Sequence, residues 1–213
     1  MKKVVITIAR QYGSGGKTIG KMLGADLGIP VFSREILKRA SEESGINETL
    51  FNQVDEKLLG SPLFRIMKRE YRGELLSPDS DDFLSKQNLF NYQAKIIKGL
   101  AEEGACVIIG RCGDYVLRDN PNRVAVFVHA PADYCRQMAI ERGAQSSKDV
   151  DRFIAQTDKA RAEYYHYYTG QEWSNAKNYD LCLNSKVLGF EGCAEAIKAY
   201  INIRFGSDWR EKE

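Results

Sequence analysis

Apolar residues follow two rhythms along this chain. Five short segments, Lys3 to Ala9, Pro30 to Phe32, Ala105 to Ile109, Arg123 to His129 and Tyr179 to Asn184, are β-branched or apolar almost throughout. Such runs predict strands buried on both faces. Between them lie longer stretches in which apolar residues recur every three or four positions, the spacing of an amphipathic helix. Lys17 to Leu27 carries Ile19, Met22, Leu23 and Leu27 in this way. Ser33 to Ser44 reads as a second helix with Ser33 as its N-cap and Glu35 in its first turn, and a further helix opens at Asn47 after Gly45. Lys86 to Glu103 places Phe90, Ala94, Ile97 and Ala101 on one face and ends at Gly104; Lys148 to Tyr168 and Phe190 to Arg204 complete the series. Residues Gly60 to Ser85, with Pro62 and Pro78, read as irregular, apart from a possible helix over Leu63 to Tyr71. Strands alternating with helices predict an α/β fold, a parallel sheet covered on both sides. Ligands of such sheets sit beyond the carboxyl ends of the strands, which directs attention to the residues after Ala9, Phe32, Ile109 and His129.

Length and charge narrow the picture. A chain of 213 residues with 43% apolar residues can build one packed core, and no repeat or Pro/Gly-rich linker divides it. With 31 basic against 29 acidic residues the formal net charge is +2, which gives no general attraction for nucleic acid or an anionic membrane. Apolar runs of six residues or fewer fall far short of the roughly 20 that a membrane span needs. Met1-Lys2-Lys3 leads into a strand without a cleavage site, so a cytoplasmic location is expected. Five widely spaced cysteines (Cys106, Cys112, Cys135, Cys182, Cys193) contain no Cys-x-x-Cys pair and are read as reduced thiols, mostly packed inside.

The candidate chemistry starts directly after the first strand, at Arg10-Gln11-Tyr12-Gly13-Ser14-Gly15-Gly16-Lys17-Thr18. Glycines let main-chain amides converge on phosphate oxygens, the helix that follows presents its positive end, Lys17 adds a charge, and the Thr18 hydroxyl suits Mg²⁺. The pattern G-x-x-x-x-G-K-[ST] is met at Gly16, Lys17 and Thr18, whereas its first glycine is replaced by Gln11. The competing explanation is a glycine-rich turn with an incidental lysine. A dinucleotide fingerprint is discounted, because Gly13-Ser14-Gly15 is followed by Thr18 where a third glycine is required.

Phosphoryl transfer needs cations around the moving group rather than a strong base, so arginines are the next candidates. Arg111 follows the third strand at a glycine, where a cation is poorly placed unless an anion sits beside it. On the helix from Lys148, Phe153, Ile154, Thr157, Tyr164, Tyr165 and Tyr168 fall within about 60° of one line, and Arg161 lies within that stripe. Its partner is Asp158, a remote carboxylate or a nucleotide phosphate. Arg34 follows the second strand, where an acceptor would approach; Ser33 and Glu35 are explained by capping alone. Asp114 and Asp133 are the acids nearest the expected site that could reach a metal through water. The tyrosines of Tyr164-Tyr165-His166-Tyr167-Tyr168 read chiefly as packing, and His166 points away from the stripe.

Several blocks in order, Ile8 to Gly20, Phe32 to Ile36, Ile108 to Asp114, Asp158 to Tyr165 and Asn178 to Asn184, resemble the cytidylate kinase-like family of P-loop nucleoside monophosphate kinases. The resemblance implies a three-layer P-loop fold with a five-stranded parallel sheet, a helical acceptor-binding insertion over residues 33–85 and an arginine-bearing lid over 136–170. It implies ATP and Mg²⁺ as cofactors and a small acceptor, foremost a nucleoside monophosphate such as CMP. It assigns Gly13, Ser14, Gly15, Gly16, Lys17 and Thr18 to ATP, with Thr18 on the metal, and Arg34, Arg111 and Asp114 to the acceptor. Lys17, Arg111 and Arg161 become the catalytic set, with Arg142, Arg152 and Asp158 in the lid. Cytidylate kinases have Asp-Gly where this chain has Arg10-Gln11, and an acid where it has Cys112. A catalytically weak nucleotide-binding module and a kinase of a non-nucleotide hydroxyl therefore stay open beside the main reading.

Overall fold

Val5–Arg10 forms strand β1, and its alternation is resolved onto two opposite cores: Val5 and Ala9 face one way, Ile6 and Ile8 the other. The chain then passes through a phosphate-loop-like turn into α1 (Gly16–Leu27), β2 (Val31–Phe32) and α2 (Glu35–Ser44). After α3 (Lys86–Glu103) come β3 (Cys106–Ile109) and the single turn α4 (Gly113–Val116). β4 (Arg123–His129), α5 (Ala132–Glu141), α6 (Val150–Thr169), β5 (Leu181–Asn184) and α7 (Ser185–Phe205) complete the described chain. The computed structural model describes residues 2–51, 73–143 and 149–209. The helix expected over Leu63 to Tyr71 and residues 144–148 of the expected lid lie outside them.

The five strands are all parallel, in the order β2-β3-β1-β4-β5. Because β1 sits in the middle, the segments leaving β1 and β3 emerge side by side at the carboxyl edge, where open α/β sheets bind their ligands. One face is covered by α1 and α7 packing on Ile6, Ile8, Val107, Val124 and Val126; the other by α3 and the tyrosines of α6 packing on Val5, Cys106, Ile108 and Phe127. Tyr164, Tyr165 and Tyr168 are buried there, and Tyr168 stacks on Phe90 with centroids 4.0 Å apart. All five cysteines are free thiols, with only Cys182 exposed. No helix among the described residues is long and apolar enough to cross a membrane.

Two local expectations need correction. Ser33 does not cap α2: the residue before the helix is Arg34, in right-handed helical geometry, and no side chain caps it. Instead the Glu35 carboxylate reaches back to accept the Ser33 N–H at 2.9 Å, and its own amide and that of Ser33 hold its carboxyl below the usual range. The closing helix begins five residues before Phe190, at Ser185, with a break at Gly189, whose φ is 69°. Asn184 supplies its N-cap by accepting the Lys186 N–H at 3.1 Å. Asn47 accepts the Thr49 N–H at 2.9 Å, as its expected capping role requires.

Candidate functional site

The turn after β1 is held from three sides. Gln11 donates its N–H to Val128 O, while its side-chain oxygen accepts the Ala130 N–H at 3.2 Å, so the loop is tied to the turn after β4. Position 11 has no positive φ, and a residue with a side chain fits where the common pattern has glycine. Ser185 Oγ donates to Ser14 O at 2.7 Å and pins the loop to the start of α7. Ser14 itself is turned fully inward, with its hydroxyl donating to Gln11 O at 2.8 Å, so its side chain shapes the loop.

The glycines are needed at this place. Gly13 and Gly15 both have φ of 82°. A Cβ on Gly13 would overlap the Cys135 backbone, and one on Gly15 would overlap the Phe190 ring. Gly13→Ala is therefore expected to lower unfolding free energy by about 3 kcal/mol, since left-handed strain adds to a clash with main chain that cannot rotate away. Urea unfolding of the two proteins checks this.

The outcome for the loop amides is the most informative. Among the described residues, the N–H groups of Gly13, Gly15, Gly16, Lys17 and Thr18 donate to no protein acceptor; the first helical bond of this end is Ile19 N–H to Gly15 O. No side chain caps α1 and no acid lies in its first turn. Five free donors, the positive end of a twelve-residue helix and the exposed Lys17 thus converge on one concavity. Such an arrangement attracts phosphate oxygens. Arg142 also belongs here, since its Nη2 donates to Thr18 Oγ1 at 3.1 Å and its guanidinium lies 5.9 Å from the Phe190 ring centre.

Next to this cradle is a pocket of about 470 Å³, lined by Arg10, Arg34, Arg111, Asp114, Arg161 and Tyr164 among others. It opens between the ends of β1 and β3 and the inner face of α6. Arg111 is carried by a turn in which Gly110, Arg111 and Cys112 are all left-handed, with φ of 74°, 62° and 52°. Two consecutive non-glycine residues in that region store backbone strain, which the fold retains where it sets a functional side chain. Arg111 is half-buried, and burial lowers its pKa. Beside it, among the described residues, the Tyr164 hydroxyl and the side-chain amide of Gln93 are buried next to one another and reach no other hydrogen-bond partner.

Arg161 lies in the half-buried stripe of α6 between Phe153 and Thr157 on one side and the buried tyrosines on the other, as the helical spacing requires. Its Nη1 donates to Asp158 Oδ1 at 3.0 Å and to the Arg10 carbonyl at 3.1 Å. Asp158 in turn accepts the Tyr12 N–H at 2.8 Å, and the Tyr12 ring meets Phe153 edge-on with centroids 5.1 Å apart. α6 and the phosphate-loop-like turn are thereby locked together. Burial raises the Asp158 pKa, opposed chiefly by Arg161.

Asp114 is buried at 5% exposure and accepts a 2.6 Å hydrogen bond from the Tyr165 hydroxyl. Burial pushes its carboxyl up to about 6. Folding therefore favours the protonated form: stability is full below the unfolded value near 3.8 and is lost as pH rises toward 6. Asp114→Asn, which keeps the acceptor for Tyr165, is expected to stabilise the protein at pH 8 by about 3 kcal/mol, with little difference at pH 3.5. Melting curves at the two pH values check it.

Neither acid considered for a metal stands as a ready ligand. Asp133 is exposed and paired with Lys186 at 2.9 Å, and Asp114 is engaged by Tyr165. Among the described residues no three His, Cys, Asp or Glu side chains are grouped to hold a metal. Arg34 is exposed on the pocket rim, whereas Arg152 is exposed on α6 outside the pocket lining. His166 contacts the Gln171 carbonyl at 3.2 Å, away from the site. The residue that sequence reasoning missed is Arg10, treated there only as a departure from cytidylate kinases; its signal was a cation ending a buried central strand.

The fold is a five-stranded parallel α/β sheet with a glycine turn rich in free amides after the first strand and an arginine-lined pocket beside it. The model of the cytidylate kinase-like family matches residues 5–187, and the chain belongs to that family. Family and architecture support ATP-dependent phosphoryl transfer to a small acceptor. No curated protein matches the sequence. Among solved structures, an uncharacterized protein from Eubacterium ventriosum is similar at 24% identity and a TM-score of 0.68, the match covering 93% of this chain and 98% of that one. Shikimate kinase from Bacteroides thetaiotaomicron is similar at 13% identity and a TM-score of 0.53, covering 93% and 98%. That from Acinetobacter baumannii, in complex with shikimate, is similar at 10% and 0.52, covering 96% of each chain. At these identities the likeness is one of fold.

Proposed function

We propose that this protein transfers the γ-phosphoryl group of ATP to a nucleoside monophosphate such as CMP. The observation that carries the reading is the set of five unsatisfied amides at the start of α1, beside Lys17 and next to a pocket rich in arginine. Lys17 and the amides of Gly13, Gly15, Gly16 and Thr18 hold the ATP phosphates. The Thr18 hydroxyl, on the first turn of the helix, fits a Mg²⁺ that takes its other ligands from phosphate and water. That ion would neutralise charge on the transferring phosphoryl group. Arg111 and Arg34 bind the acceptor phosphate, Asp114 lies in the acceptor pocket, and Arg161 meets the charge that develops in transfer. Residues 33–85 form the acceptor-binding insertion and 136–170 the lid, with Arg142 closing over the nucleotide, Arg152 on the outer side of α6 and Asp158 joining lid to loop.

A kinase of a non-nucleotide hydroxyl is the second reading, and Asp114 favours it. A pocket carboxyl with its pKa pushed up to about 6 suits taking a proton from an alcohol. A coupled assay with Mg-ATP against CMP, UMP, AMP, dCMP, shikimate and simple sugar alcohols separates the two. ADP release that depends on CMP supports the first reading, and release that depends only on an unphosphorylated alcohol replaces it with the second. Stabilisation by nucleotide with no turnover on any acceptor would instead mark a binding module.

A further inference from the structure

We propose that Arg10 is a specificity-determining residue of the acceptor site, where it joins Arg111 and Arg34 in binding one dianionic, phosphate-type group. The inference rests on the phosphotransfer reading and extends it to one further residue of the pocket.

Arg10 ends the central strand, and the path of its side chain is fixed by two glycines. A Cβ on Gly16 would meet the Cβ and Cγ of Arg10, and one on Gly110 would overlap its Nη1. The stem therefore lies against the phosphate cradle, and the guanidinium lies over the turn that carries Arg111. Arg10 spans the two halves of the site.

Its charge has no other use in the described structure. Among the described residues the guanidinium makes no hydrogen bond and no ion pair; the charges nearest it are Arg161 and Arg111, which repel it, and Asp158. Asp158 is already committed to Arg161 and to the Tyr12 amide. Burial, then Arg161 and Arg111, press the Arg10 pKa downward. A half-buried cation among like charges is unfavourable unless an anion joins it.

The charge balance indicates which anion. Among the described residues four arginines line the pocket against one carboxylate, Asp114, with Asp158 beside it engaged by Arg161. Arg10 and the rim residue Arg34 make no hydrogen bond or ion pair among the described residues, and two such cations match a phosphate monoester dianion better than a monocarboxylate. A guanidinium held over the turn that carries a second one also suits a group with several terminal oxygens.

The test keeps the cradle filled with saturating Mg-ADP and titrates CMP and, separately, inorganic phosphate by calorimetry. Wild type, Arg10→Met, Arg10→Lys and the surface control Arg118→Met are compared. Arg10→Met is expected to weaken CMP and inorganic phosphate by about 10- to 100-fold each, the loss of charge-assisted hydrogen bonds. Arg10→Lys should recover part of the loss, and the ADP affinity and the control should stay within about twofold. Unchanged phosphate and CMP affinity in folded Arg10→Met protein would overturn the proposal. So would a wild type that binds no phosphate once ADP is in place, or that binds shikimate through Arg10 in preference to phosphate. If Arg10→Met does not fold, Arg10→Lys decides: affinity equal to wild type for both ligands overturns the role of the guanidinium fork. Arg10-dependent phosphate binding without turnover of any nucleoside monophosphate would sink the choice of acceptor while leaving Arg10 in place.

Discussion

Lys17→Ala is expected to lower ATP-dependent phosphoryl transfer by about 10³-fold while leaving the fold intact. The side chain is exposed on the first turn of α1 and makes no hydrogen bond or ion pair among the described residues, so its removal opens no cavity and orphans no partner. What is lost is a full charge beside a ring of amide dipoles. Wild type should gain thermal stability on adding Mg-ATP, and the variant should lose most of that gain at the same nucleotide concentration. Equal turnover in the two proteins would remove the phosphate cradle from the chemistry.

The second large effect is expected at Arg161, and it has two separable parts. Arg161→Met should reduce turnover by about 10³-fold or more, the range seen when an arginine that meets the transferring phosphoryl is removed. It should also destabilise the protein, because among the described residues Asp158 keeps only the Tyr12 amide as a hydrogen-bond partner while remaining half-buried. Arg161 is the main opponent of the burial that raises the Asp158 pKa, so its loss raises that pKa further. A carboxyl whose folded pKa is raised destabilises the native state above that pKa and ceases to do so when protonated. The stability gap between variant and wild type should therefore be wide at pH 7 and narrow toward pH 4. Adding Asp158→Asn to the variant should restore much of the stability at pH 7 and none of the turnover. Recovery of activity in the double variant would assign Arg161 a purely structural role.

The parts of this molecule that could be read in advance are those where one local rule decides. Val4 to Ala9 could only be a doubly buried strand, and Gly13 and Gly15 could only sit in a turn that a side chain would obstruct. Arg161 was placed on its stripe by helix geometry, although choosing Asp158 as its partner required the fold. Other features depended on contacts between distant segments. Gln11 looked like a defect in a motif, yet Ala130, 119 positions away, explains it. Ser33 looked like a cap because capping residues share a composition, whereas here Glu35 satisfies the amide from inside the helix. Arg10 escaped notice because its neighbours Gly110, Arg111 and Arg161 meet it only when β1, β3 and α6 are assembled.

The left-handed conformation of Arg111 and Cys112 has a consequence for anyone engineering this protein. Each residue with a Cβ in that region raises the energy of the folded chain by roughly 1–2 kcal/mol. Asparagine and glycine tolerate it better. A library selected only for resistance to heat should therefore enrich Arg111→Asn and Arg111→Gly, which relax the turn and discard a pocket guanidinium. The hardiest members of such a library would be poor catalysts, and a selection that rewards survival and turnover together should leave Arg111 in place.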